Sequence, residues 1–256
     1  MKYFAIAKLV FFYLLIGCIV LFSPLGPVSS YLIMIGLSAL VILASGIQVR
    51  LGNPIAGLIT GTLAMIAVFL IILAIGGASI NGLRTADAAG ILLGGVLLQV
   101  LVSTGEELSF RHFIFADLDR WTGRKTAAVV SSLAFAAMHL PSMLLLQATP
   151  AESAIALLSI FTASIVLTVL FLKWGILAAI GFHFTWNFLQ YHVFGLSSMD
   201  AILEIVKTGS PLLNWGVFGP EASIPGLIVI SATLVGLWYF YLRTKNNGTS
   251  VPEGKD

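Results

Sequence analysis

Runs of about twenty apolar residues recur along this chain, and that repetition constrains its fold more than any motif does. About 20 consecutive apolar residues cross the hydrocarbon core of a bilayer. Eight such runs can be read, at roughly 4–24, 31–48, 54–76, 88–113, 126–146, 153–172, 175–194 and 224–242. A water-soluble fold has no use for so many. Only 9% of the 256 residues are charged and 59% are hydrophobic, whereas a soluble domain is about 25% charged. The expected fold is therefore all-α: a polytopic membrane protein with about eight transmembrane helices and any active site within the helix bundle. Residues 1–244 read as a single integral membrane domain. Residues 245–256, polar and glycine-containing, read as a disordered cytoplasmic tail.

Proline and glycine punctuate the runs. Pro24 and Pro27 end the first, Asn53-Pro54 opens the third, Gly76-Gly77 through Asp87 separates the third from the fourth, and Thr149-Pro150 separates the fifth from the sixth. Only Lys173-Trp174 lies between the sixth and seventh, which requires a tight hairpin. Charge placement tests the count. With the N-terminus inside, alternate connections hold Lys2, Lys8, Arg50, Arg120, Arg124, Lys125, Lys173, Arg243, Lys245 and Lys255 on the cytoplasmic side. Only Arg84 and Lys207 fall outside, and Arg111 lies within a helix. This bias follows the positive-inside rule and would be scrambled by an odd number of spans. Both termini are expected in the cytoplasm, and the minimal tail is bacterial in style, so a bacterial cell membrane is the expected location.

The net charge of +2 is too small to argue for nucleic acid, so none is expected as a partner. The single Cys18 rules out an internal disulfide framework. In the long connection 195–223, the stretch Ile202-Leu203-Glu204-Ile205-Val206 reads as an amphipathic interfacial helix resting on the headgroups. The pairs Gly57–Gly61 and Gly90–Gly94 read as close-packing points between helices of one subunit.

Ionisable groups inside spans are expensive and usually functional. Here they concentrate in three places: Glu106-Glu107-Leu108-Ser109-Phe110-Arg111, Phe135-Ala136-Ala137-Met138-His139 and His183-Phe184-Thr185-Trp186-Asn187. Glu107 and Arg111 stand at i and i+4 in the favourable ion-pair order. Glu106 points about 100° away and has no basic partner at that spacing, which leaves it free for chemistry. His183 and Asn187 share a helix face at i and i+4. A carboxylate beside an imidazole can deprotonate water in a dry pocket. A second imidazole and an amide N–H can hold an oxyanion. Together these groups make a hydrolase toolkit, although one carboxylate and two histidines can also bind a divalent metal. Counted from the cytoplasmic helix ends, Glu106 and His183 lie about 7 and 8 residues deep, or 10–12 Å, and His139 about 13 residues deep, nearer 20 Å. His139 therefore fits the group least well.

In this order on successive membrane helices, Glu106-Glu107-x-x-x-Arg111, Phe135-x-x-x-His139 and His183-x-x-x-Asn187 resemble the signature motifs of the CAAX prenyl protease and bacteriocin-processing family. Its members are intramembrane endopeptidases, many of the abortive-infection type. Each motif alone is short; together, with Glu106, His139 and His183 separated by 33 and 44 residues, they are specific. The resemblance covers about 100–195, within an expected protease core of about 88–195. It implies that Glu106 activates water with help from His139, that His183 and Asn187 stabilise the oxyanion, and that Glu107 and Arg111 are the supporting pair. It implies no cofactor; if a divalent metal is used, the ligands would be Glu106, His139 and His183. His112 departs from the pattern, since many relatives carry glycine after the arginine. The implied partners are a membrane-associated peptide or protein substrate and the lipid bilayer.

Two other readings use the same residues: a proton-coupled transporter with a Glu/His relay, and a non-catalytic scaffold or bacteriocin-immunity factor. The first helix raises one further question, because Lys2, an apolar stretch and Leu15-Ile16-Gly17-Cys18 resemble a signal peptide with a lipoprotein box. The apolar run continues past Cys18 through Phe22, so the segment is expected to be retained. Intact-mass measurement of the purified protein should find no cleavage before Cys18; a chain beginning at Cys18 would overturn this expectation.

Overall fold

The computed structural model describes residues 2–22, 24–197 and 199–246. Its helices are α1 (Lys2–Phe22), α2 (Gly26–Ala44), α3 (Ile55–Ala74), α4 (Ala88–Glu107), α5 (Ala116–Thr122), α6 (Arg124–Ala137), α7 (Leu140–Leu145), α8 (Pro150–Trp174), α9 (Ile176–Phe188) and α10 (Ile224–Asn246). A π-helical stretch, Leu108–Phe115, joins α4 to α5, and another, Leu189–Val193, extends α9. Two short strands, β1 (Ala78–Leu83) and β2 (Leu203–Lys207), form the only sheet among the described residues. By length and composition, Gly26–Ala44, Ile55–Ala74, Ala88–Thr122, Arg124–Leu145 and Pro150–Trp174 can each cross a membrane, and Ile6–Leu21 and Ile224–Phe240 are shorter apolar helices. The fold is the expected all-α polytopic membrane protein.

The passes alternate in direction, and contacts between their ends define two faces. On the face where α1 begins and α10 ends, Arg50 donates to the carbonyls of Leu172 and Lys173 at 2.8 and 3.0 Å. There too, Arg120 donates to Ser45 O at 3.1 Å and Lys8 pairs with Asp117 at 2.9 Å. On the opposite face β1 and β2 pair antiparallel, Ala78 against Lys207 and Leu83 against Leu203. The hydroxyl of Thr208 caps the carbonyl of Gly76 at 2.6 Å beside them.

Four expectations need correction. The fourth pass does not end near 113 but continues through the π-helical stretch to Thr122. Its polar last turns persist as helix because Asp117 is buried against Lys8. The fifth pass breaks at Met138-His139, where Pro141 cannot donate to the preceding turn and α7 restarts. The stretch 202–206 is strand rather than interfacial helix. Leu203 and Ile205 are half-buried while Glu204 and Val206 face out, a period of two, and β1 supplies the pairing partner. The fourth correction concerns the tail: α10 runs through Asn246, past the position where the tail was expected to begin. The remainder of that tail lies outside the described residues.

The glycine expectation divides. A Cβ on Gly57 would sit 1.8 Å from Ala178 O, and one on Gly61 2.2 Å from Thr185 Oγ1. Backbone contact between α3 and α9 at these two glycines is thus a packing requirement. A Cβ on Gly90 would meet only its own helix's Asp87, and Gly94 has nothing within 4 Å; that pair packs no helices together. The close approach on α4 is instead at Gly95, whose Cβ would lie 2.5 Å from the His192 ring.

The α3–α9 contact generates a prediction. Gly57→Ala should lower the thermal unfolding midpoint in detergent, by the roughly 1–3 kcal/mol typical of overpacking or more. Gly36→Ala, which meets nothing within 4 Å, should leave it unchanged. Equal midpoints for the two variants would rule out the close backbone contact.

Candidate active site

Glu106 and Glu107 close the last turn of α4, immediately before the π-helical stretch. A π turn inserts an extra residue into the helical register and is common at functional sites. The two carboxylates diverge. Glu107 is fully buried, with Oε2 3.1 Å from Arg111 Nε and Oε1 2.8 Å from His183 Nδ1. It is therefore more than the neutraliser of Arg111, since it also orients the histidine on α9. The Arg111 guanidinium lies over the Phe135 ring at 4.4 Å, a cation–π contact that ties α6 to the same cluster. A charge this deep is tolerable only when paired.

Glu106 turns into a cavity of about 470 Å³. Its Oε1 accepts from the Tyr31 hydroxyl at 2.9 Å, and its Oε2 stands 3.8 Å from His183 Nε2, beyond hydrogen-bond reach. The expectation that Glu106 lacks a local basic partner on its own helix is met, but α2 and α9 supply neighbours. His139 lines the same cavity from the break between α6 and α7. Its Nδ1 lies 2.9 Å from Phe135 O, the arrangement of an Nδ1–H donor that leaves Nε2 available. Its ring meets Phe135 edge-on at 5.1 Å and Phe218 at 6.4 Å. Asn187, one turn after His183, also lines the cavity.

The depth mismatch of His139 disappears in the structure. Gly123 is the pivot between the fourth and fifth passes. Glu106 lies about 17 residues before it and His139 about 16 after it, or some 25 Å along each helix. The error lay in the end of the fourth pass, not in the histidine. All four residues expected to be catalytic thus face one cavity, with Glu107 and Arg111 behind it.

Sequence reasoning missed Tyr31 and Glu221. Glu221 sits in a single 3-10 turn, Pro220–Ala222, before α10. It also lines the cavity, accepting from Trp186 Nε1 at 2.7 Å and Gln190 Nε2 at 3.1 Å. Burial pushes its carboxyl above the ordinary range, partly offset by its backbone hydrogen bond and the two side-chain donors. Trp186 and Gln190 stand at i and i+4 on α9, a spacing that signals a shared polar face. The carboxylate they hold is remote in sequence, so no local pattern announces it.

Among the described residues, no group of three or more His, Cys, Asp or Glu side chains is arranged to hold an ion. The Nδ1 atoms of both histidines are already engaged, by Glu107 and by Phe135 O. Each histidine thus presents Nε2 as its free ring nitrogen.

The roles of the two glutamates separate in a stability measurement. Glu107→Ala leaves the Arg111 guanidinium buried without its counter-charge and should destabilise the protein by about 3–5 kcal/mol. Glu106→Gln, which keeps an acceptor for Tyr31, should change the unfolding midpoint little. Thermal unfolding in detergent reads both, and a Glu107→Ala protein as stable as the parent would contradict the buried bridge.

Residues 88–189 match the protein-family model described as Type II CAAX prenyl endopeptidase Rce1-like. No curated protein and no solved structure matches the chain. The matched segment, less than half of the chain, contains all three motifs, from Glu106-Glu107-x-x-x-Arg111 to His183-x-x-x-Asn187, and over that stretch the chain is similar to the CAAX protease family.

Proposed function

We propose that this chain is an intramembrane endopeptidase in which Glu106 and His139 activate water and His183 and Asn187 bind the oxyanion. The supporting observation is the shared cavity onto which all four side chains open. The match of residues 88–189 to a CAAX-type endopeptidase family model supports peptide hydrolysis as the reaction class.

The steps follow from the groups present. Glu106 takes a proton from water, and the resulting hydroxide adds to the carbonyl carbon of the scissile bond. His139 Nε2 holds the water in line. The oxygen that becomes negative is met by His183 Nε2 and the Asn187 amide. The C–N bond then breaks, and the proton held by Glu106 passes to the leaving nitrogen, giving a carboxylic acid and an amine.

The Glu107–His183 contact adds a requirement. A carboxylate only accepts, so His183 Nδ1 must donate to it. His183 Nε2 can then donate to an oxyanion only if the ring is an imidazolium. The charges allow this, because Glu106 and Glu107 balance Arg111 and a protonated His183. Glu107 thus acts as a positioning residue that keeps the second imidazole cationic and aimed.

Comparative membrane proteomics of cells carrying the parent or Glu106→Gln should reveal a membrane peptide that accumulates uncleaved in the variant. Normal processing by a folded Glu106→Gln protein would sink the assignment. With that peptide in hand, Asn187→Ala should lower kcat about 100-fold or more with little change in KM. A chelator should leave purified activity intact; loss of activity restored by a divalent ion would replace the glutamate mechanism with a metal-assisted one.

A further inference from the structure

The cavity is placed asymmetrically between the two faces of the bundle. On α4 its lining residues are Leu98, Gln99, Val102 and Glu106, none beyond Glu106 towards Thr122. On the fifth pass they run from Phe135 through His139 and Ser142 to Leu146, at the end away from Arg124. On α8 they reach no further than Leu167, leaving the Trp174 end bare, and on α10 they are Gly226 and Ile230, in its first turns. Five lining residues (Ser197, Met199, Val217, Phe218 and Glu221) belong to the connection between α9 and α10, which lies on the face opposite the termini. The exposed members of the wall, Pro27, Leu146, Met199 and Val217, are at that same face.

Towards the terminal face the site is closed. Immediately past Glu106, the π-helical stretch buries Phe110, Arg111, Phe113 and Phe115 at 0–2% exposure. Phe113 packs edge-on against Phe12 at 4.7 Å, and Phe110 against Phe135 at 5.0 Å. A peptide arriving from the terminal face meets this packed aromatic layer before it meets Glu106.

The described basic side chains distinguish the faces chemically. Lys8, Arg50, Arg120, Arg124 and Lys173 are among those at the terminal face, while the opposite face carries Arg84 and Lys207. Under the positive-inside rule the terminal face is cytoplasmic. We infer that substrate enters the cavity from the extracytoplasmic face, past the wall formed by residues 197–221. The substrates are therefore membrane-anchored peptide segments whose scissile bond lies in, or reaches into, the outer half of the bilayer. This inference rests on the peptidase reading for its substrate but not for its geometry.

Access can be tested without a substrate. In a Cys18→Ser background, single cysteines at Met199, Val102 and Thr122 report the opposite face, the cavity and the terminal face. A membrane-impermeant charged methanethiosulfonate reagent is applied to right-side-out and to inverted membrane vesicles. Met199→Cys and Val102→Cys should label in right-side-out vesicles, with Val102→Cys at least tenfold faster there than in inverted ones, while Thr122→Cys shows the reverse. Ser142→Cys, on a different helix of the same cavity, repeats the measurement if Val102→Cys does not fold. Cavity labelling that follows Thr122→Cys, or labelling from neither side, would overturn the access route. Met199→Cys labelling only in inverted vesicles would overturn the extracytoplasmic assignment. None of these readouts depends on cleavage, so failure of the peptidase reading would appear separately, in the Glu106→Gln comparison.

Discussion

One buried carboxylate organises this protein. Glu107 is fully enclosed and spans Arg111 on its own pass and His183 on α9. Placing an ion in such surroundings is costly unless partners are held at contact distance, so the three side chains constrain one another. Arg111 is fixed further by the Phe135 ring on α6. The bridge therefore ties together the passes that bear all three motifs. Glu106, the adjacent residue, points elsewhere by helical geometry alone and faces the cavity. Two neighbouring glutamates thus serve different ends because a helix turns about 100° per residue.

The membrane fold was legible because a bilayer demands long apolar runs and little else. Where the reading failed, non-local contacts were responsible. Ala116–Thr122 is too polar to look like membrane helix, yet it remains helical with Asp117 buried against Lys8, 109 positions away. Leu203–Lys207 looked like an amphipathic helix because a short run with one charge suits either period. Its strand conformation depends on β1, whose sequence shows nothing of the pairing. The glycine pairs had identical spacing, and only one of them faces another helix.

The site divides along the same line. Glu106, Glu107, Arg111, His139, His183 and Asn187 stood out because polar groups in apolar helices are conspicuous. That Glu107 serves His183 as well as Arg111 was not legible, because the spacing on one helix revealed only the local partner. Tyr31 carries no local signal, because its 2.9 Å contact with Glu106 crosses from α2 to α4. Glu221 lay in a connection whose polarity needed no special explanation.

The family match ends at residue 189, whereas the cavity wall includes Val217, Phe218 and Glu221. That wall is anchored by a few defined contacts: Glu152 accepts from Val217 N at 3.2 Å, and Lys207 donates to the Gly216 carbonyl. The matched stretch carries the three motifs and much of the wall, and the connection between β2 and α10 completes that wall. A stretch bounded by a strand at one end and a helix at the other is a natural unit for exchange. Exchanging the connection between β2 and α10 therefore changes what the cavity admits and takes Glu221 away from Trp186 and Gln190, while the residues of the three motifs keep their places on the helices.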